Sequence, residues 1–206
     1  MLKLFDYVKI SAPLNSDLQA RVERILCDNG KEATFTHVCA VADAAVRLAE
    51  KFGLDAEVCR TAGLLHDISA VIKPADMLAG AEEKGWYIDE AERKYPFLLH
   101  QRVSKVVAEE DFGITDPRVL SAIEVHTTLK KDFSAYDLAV FLADKIAWDR
   151  GGEPPYRVAV EAGLALSLEA AALAYIDFVM ENGMILHPHA WLLEAREHLQ
   201  KAMCEK

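Results

Sequence analysis

The chain lacks what several common chemistries require. None of its four cysteines, Cys27, Cys39, Cys59 and Cys204, forms a C-x-x-C pair. That argues against a thiolate zinc site and leaves free thiols in a reducing cytoplasm as the expectation. Bases are outnumbered, 23 against 33 acids, for a net charge of -10. An overall basic footprint for nucleic acid is therefore missing. The first residues, MLKLFDYVKI, hold no long apolar run and no cleavage site, so no secretory signal is expected. No uninterrupted membrane span is evident either. The Ala- and Leu-rich stretch 158–180 is broken by Glu161, Glu169 and Asp177, and charges inside a spanning helix are expensive. Neither a Gly-rich phosphate loop nor a Ser-His-Asp arrangement is visible, and no alternating strand pattern of useful length appears.

What remains is helical. The chain has 206 residues, 52% of them apolar, enough for one large domain or one domain with a helical extension. Ser16-x-x-Gln19 fits a capping box, with Leu18, Val22 and Ile25 as the stripe behind it. His37, Val41, Ala44, Leu48 and Phe52 share one face of a helix from about Glu32 to Phe52, closed by Gly53. Asp55 starts the next helix, and Lys73-Pro74 breaks the chain. The charged stretch from Asp76 to Pro96 reads as a short helix and a loop, a candidate lid. Leu98 to Glu110 reads as helix, and Asp116-Pro117 and Ser134-x-x-Asp137 start two more. One long helix is expected after Pro154-Pro155, ending at Asn182-Gly183, and a last one from near Pro188. The expected fold is all-α: a single domain with a core over about 16–150 and C-terminal helices over 156–204. Homodimerisation through those Ala- and Leu-rich helices is a further expectation.

Against this background four histidines and two aspartates stand out. His37 lies on the apolar stripe of its helix, and His66-Asp67 ends the next. His100 sits beside Val103 and Val107, His126 follows Val119 and Ile123, and Asp144 recurs with Val140 and Ala147. A charged or imidazole group on an inward face is costly unless it is paired or bound to metal. Six such positions on five separate segments point to one converging site. Imidazole nitrogen with carboxylate oxygen suits transition ions such as iron, manganese, cobalt or zinc. His187, His189 and His198 flank a proline or lie in a charged helix and read as structural or surface residues.

The order His37, then His66-Asp67 within GLLHDIS, then Asp144 within FLADKIA, resembles the HD superfamily of metal-dependent phosphohydrolases. His100 within LLHQRV, His126 within IEVHTT, and the run ADKIAWDR resemble one branch of it, the bacterial YqeK family of symmetrical bis(5'-nucleosyl)-tetraphosphatases. That resemblance implies an HD-domain helical bundle with a C-terminal helical extension. It implies hydrolysis of a nucleotide or dinucleoside polyphosphate, diadenosine tetraphosphate to two ADP in the family, without a covalent intermediate. It also implies a site for two ions, iron first, with manganese, cobalt or magnesium as alternatives. His37, His66, Asp67 and Asp144 would hold one ion, and Asp67 would bridge to a second held by His100 and His126. Asp67 and His66 would be the catalytic pair, and Arg150 and Lys145 the substrate-binding cations, ahead of Arg102 and Lys130. The chain departs from the family at Thr34, where members carry arginine, at Ala70, where they carry lysine, and at Leu129, where they carry glycine. These departures leave the metal positions complete and bear on the substrate. Hydrolysis of another phosphoester, and a non-catalytic metal- or nucleotide-binding regulatory module, are the rival readings.

Overall fold

Asp17, Asp55, Asp89, Asp116, Ser134 and Ser167 each place a side-chain oxygen on a backbone N–H at the start of a helix. Each satisfies a donor that the helix itself leaves unpaired, worth about 1 kcal/mol. The computed structural model describes residues 4–10 and 17–204. Among the described residues the helices are α1 (Leu18–Cys27), α2 (Glu32–Phe52), α3 (Ala56–Leu65), α4 (Pro74–Glu83), α5 (Glu90–Lys94), α6 (His100–Glu110), α7 (Pro117–Val125), α8 (Ala135–Ile146), α9 (Arg157–Leu164), α10 (Leu168–Glu181) and α11 (Ala190–Cys204). Short 3-10 turns cover Leu4–Asp6, Ile68–Val71 and Pro96–Leu99. No strand occurs among these residues, so the expected all-α class holds.

The helix α8 is the central rod. Leu138, Ala139, Val140, Phe141, Leu142 and Ala143 are all buried, and a helix that is apolar all round must be covered on every side. α2, α3 and α7 cover it on one side and α10 on another. α2 and α3 approach each other closely. A Cβ built on Gly63 would lie 2.7 Å from the Ala42 Cα, so glycine alone lets these two helices touch there. His37 is on α2, and His66-Asp67 ends α3, so this contact sets the spacing between two parts of the site.

Three expectations need correction. Ser16 lies outside the described residues, and the cap of α1 is Asp17, one residue later, which accepts from the Ala20 N–H at 2.8 Å. The stretch 76–96 holds α4 and α5 rather than one short helix, because Pro74 starts α4 and an Asp89–Glu92 capping box starts α5. The long C-terminal helix is split into α9 and α10. Ser167 adopts an extended backbone (φ -164°) and caps α10 through the Ala170 N–H. The chain then folds back so tightly that a Cβ on Gly163 would lie 2.4 Å from the Ala171 Cα. No helix among the described residues is long and apolar enough to cross a membrane.

Candidate metal centre

Helix ends and helix faces deliver the six residues. His37 projects from α2 and Asp144 from α8; His66 and His126 are the residues at which α3 and α7 end, and His100 opens α6. At Asp67 the backbone leaves the α-helix (φ -112°, ψ 18°). Consecutive residues of an α-helix point about 100° apart, so this exit lets His66 and Asp67 converge. Their Nε2 and Oδ2 atoms are 3.7 Å apart.

The rings stand in a row. Centroids are 5.3 Å apart for His37 and His66, 4.7 Å for His66 and His126, and 4.8 Å for His126 and His100. Three of them are held in the same way. His66 Nδ1 donates to the Gly63 carbonyl at 2.7 Å, His100 Nδ1 to that of Phe97 at 2.6 Å, and His126 Nδ1 to that of Ile123 at 2.8 Å. A carbonyl only accepts, so the proton of each neutral ring is on Nδ1 and a bare Nε2 lone pair faces the site. Burial, then the neighbouring His66 and His100, push His126 well below the ordinary histidine range, so its ring is neutral at neutral pH.

The carboxylates close the ring of acceptors. Asp67 Oδ1 lies 3.3 Å from His100 Nε2 and 3.6 Å from His126 Nε2. Asp144 Oδ1 lies 3.0 Å from His37 Nε2 and 3.7 Å from His66 Nε2. Burial works to raise the Asp144 carboxyl, but the Lys145 ammonium and the His37 bond outweigh it and hold it well below the usual carboxylate range. Two sets of ligand atoms fall within 4.8 Å of one another, His37–His66–Asp67 and Asp67–His100–His126, and Asp67 belongs to both. The fully buried His66 Nε2 and the His37 Nδ1 have no hydrogen-bond partner. Buried acceptors without donors are a large cost unless a cation takes them up. This donor set therefore fits a transition metal, with nitrogen and oxygen ligands and no sulfur.

The expected cations are placed differently from one another. Lys145 is buried: its Nζ donates to Asp144 Oδ2 at 2.5 Å and to the His126 carbonyl at 3.2 Å. It braces the ligands as well as lining the cleft. Arg150 is exposed, over the Trp148 ring at 5.4 Å, and lines a cavity with His37 and Asp144. Arg102 is turned away into an ion pair with buried Glu92 at 3.0 Å, and Lys130 faces Glu124 at 3.6 Å. Sequence reasoning missed three neighbours. Thr127 Oγ1 meets His100 Nε2 at 3.1 Å, Asp149 Oδ2 lies 3.9 Å from His37 Nδ1, and buried Gln101 accepts from the Thr127 and Thr128 N–H groups. The HTT and AWDR runs contain two of them, but nothing in their spacing singles them out.

The HD domain family model matches residues 34–149, which takes in all six positions. The chain belongs to the HD domain family. It is 46% identical over 143 residues to an uncharacterized protein in the pepC 5' region of Lactococcus lactis subsp. cremoris, covering 69% of this chain and 72% of that protein. It is 27% identical over 165 residues to a symmetrical bis(5'-nucleosyl)-tetraphosphatase of Halalkalibacterium halodurans, covering 76% of this chain and 84% of that one. A crystal structure of a predicted HD superfamily hydrolase involved in NAD metabolism from Clostridium acetobutylicum superposes with a TM-score of 0.78 at 28% identity, covering 94% of this HD-domain protein and all of that chain. The fold match thus extends beyond the family segment into α9–α11.

Proposed function

We propose that this HD-domain protein is a metal-dependent phosphohydrolase of nucleotides. A dinucleoside polyphosphate cut to two nucleoside diphosphates is the favoured substrate. The observation that carries the reading is the convergence of bare Nε2 atoms on two half-buried carboxylates, with Asp67 common to both halves. The names of the tetraphosphatase relatives support the choice of substrate.

His37, His66, Asp67 and Asp144 would hold one ion, and Asp67, His100 and His126 a second; iron is the first choice, with manganese, cobalt or magnesium as alternatives. When bound, such ions supply Lewis acidity toward phosphate oxygens and make water a usable nucleophile near neutral pH. The protein's own share is positioning. Carbonyls of Gly63, Phe97 and Ile123 fix the three rings, so the ligands need little rearrangement. Lys145 fixes Asp144 and keeps one N–H beyond its two bonds for a substrate oxygen. Arg150 is mounted on Trp148 at the mouth, where it can meet a phosphate without first leaving a carboxylate. In the reaction a water oxygen bonds to phosphorus, the bridging P–O bond breaks, and the leaving phosphate departs as an anion stabilised by these cations.

The departures at Thr34 and Ala70 favour one second reading. Both positions flank the ligands His37 and Asp67 by three residues, and neither can carry charge. A shorter phosphate chain, or another phosphoester, needs fewer cations than a tetraphosphate. Incubation of the metal-loaded protein with diadenosine tetraphosphate, ATP, ADP and AMP, with separation of products, tests both readings. Two ADP from the tetraphosphate supports the first. Turnover of the shorter nucleotides alone supports the second. No turnover of any leaves a binding module.

A further inference from the structure

A cavity of about 400 Å³ opens beside the His100–His126 half of the centre. Its inner wall includes Thr127, which meets His100 Nε2, and Lys145, which meets Asp144. The cavity is therefore continuous with the ligand cluster. The outer wall has another chemistry: Tyr95 and Phe97 from the turn before α6, and Met184 and Leu186 from the segment between α10 and α11. Phe97 is 53% exposed and Leu186 80%. Large apolar side chains gathered in the open at a cavity mouth mark a place where something binds. Phe97 is also rigidly referenced to the metal side. Its carbonyl accepts the His100 Nδ1–H at 2.6 Å, so one 3-10 turn fixes both the ring and the ligand.

The geometry points to this cavity as a stacking subsite for a planar ring, the nucleobase at one end of the substrate, with the phosphates running inward to His100 and Asp67. The inference rests on the phosphohydrolase reading and extends it to the far end of the substrate. The strongest polar groups on the wall are engaged within the protein or face the phosphates. Lys145 serves Asp144 and the His126 carbonyl and has its remaining N–H for a phosphate oxygen, Thr128 Oγ1 bonds Gln101 and the Leu129 carbonyl, and His189 accepts the Trp191 N–H at Nδ1 with its Nε2 3.7 Å from the Glu92 carboxylate. The subsite reads the face of the ring more than its edge. Apolar pockets discriminate by about 10- to 200-fold, whereas sites that hydrogen-bond a substrate edge reach about ten-thousandfold. Adenine and guanine ends should both be accepted within the smaller range.

Calorimetric titration of manganese-loaded protein with ADP, GDP and pyrophosphate tests this directly. ADP and pyrophosphate share a two-phosphate chain and differ by the nucleoside. The parent should bind ADP about tenfold more tightly than pyrophosphate, the order expected for one base stacked on an aromatic side chain. Phe97→Ala should remove most of that preference with its manganese content intact, and Phe97→Tyr should restore it. Leu186→Ala, on the segment between α10 and α11, should lower the same preference and serves as the reading if Phe97→Ala sheds metal. Equal preference in the parent and both alanine variants overturns the subsite, as does an ADP-over-GDP preference near ten-thousandfold. Failure of the wider reading looks different. A protein with the Phe97-dependent preference but no hydrolysis keeps the subsite and loses the activity; one that hydrolyses nucleotides without that preference does the reverse.

Discussion

His100 Nε2 and His126 Nε2 lie 2.9 Å apart, and both rings carry a hydrogen bond from Nδ1 to a carbonyl. In the neutral rings two lone pairs face each other at that distance, with the Asp67 carboxylate beside them. Such a contact is repulsive by itself and favourable around a cation. Loading with manganese or iron should therefore stabilise the fold. At a free ion concentration one hundred times Kd the gain is about 2.7 kcal/mol. For a chain of this size that corresponds to a rise in Tm on the order of 5–10 °C. Scanning calorimetry with and without chelator measures it, and an unchanged Tm would count against the assignment.

Lys145 couples the two halves, since one ammonium serves Asp144 and the carbonyl of His126. Lys145→Met keeps the volume and removes the charge. Outer partners of metal ligands are typically worth about 10- to 100-fold in metal affinity. Lys145→Met should weaken metal binding by that order, seen in competition with a chelating dye. Parent-like metal affinity would show that Asp144 needs no such brace.

Glu92 is 1% exposed and anchors the segment that carries Phe97's neighbours to α11. It accepts from Arg102 at 3.0 Å and from the Asp89 N–H at 3.0 Å, with His189 Nε2 at 3.7 Å. Burial raises its carboxyl, but His189, the Asp89 N–H and Arg102 together hold it below the ordinary glutamate value of 4.5. A depressed folded value adds stability above the unfolded pKa, and that stability is lost as pH falls through the folded one. Denaturant unfolding should show a loss below about pH 4.5 that is shallower in Glu92→Gln. An equally steep acid limb in the variant would assign the loss to other carboxylates.

Gly63 has two duties, the α2–α3 contact and the carbonyl that holds His66. Gly63→Ala must push Ala42 away, at a cost of about 1–3 kcal/mol from overpacking. Metal affinity should fall with it, because His37 and His66 ride on the two helices forced apart. A variant as stable as the parent would mean that the bundle yields there without strain.

Much of this was legible in the residues. Caps at Asp55, Asp116 and Ser134 are local signals and mark α3, α7 and α8. The inward periodicity of His37, His126 and Asp144 announces a site because buried polar groups need partners. Two things were not legible. The α9–α10 break depends on Gly163 meeting Ala171, a contact set by packing and not by turn composition. Leu129 replaces the family's glycine, yet it keeps a left-handed backbone (φ 56°) while its side chain is fully buried. The left-handed conformation costs about 1–2 kcal/mol in a non-glycine residue, and burying a leucine contributes about 1.5–3 kcal/mol. The substitution therefore preserves the turn after His126 and is no sign of a lost site. Lys145 reads as a phosphate ligand from its place after Asp144, and only coordinates show its two internal bonds.

The metal-to-protein ratio of the parent and of Asp67→Ala, measured by elemental analysis after manganese or iron loading and dialysis, tests the central claim most directly. Asp67 is the residue shared by both ligand sets. The account predicts about two ions per parent chain, as in two-metal sites with ions about 3.5–4 Å apart, and loss of both metal and hydrolysis in the variant. A parent that retains no ion, or an Asp67→Ala protein that keeps its full metal content and parent rate, would contradict it.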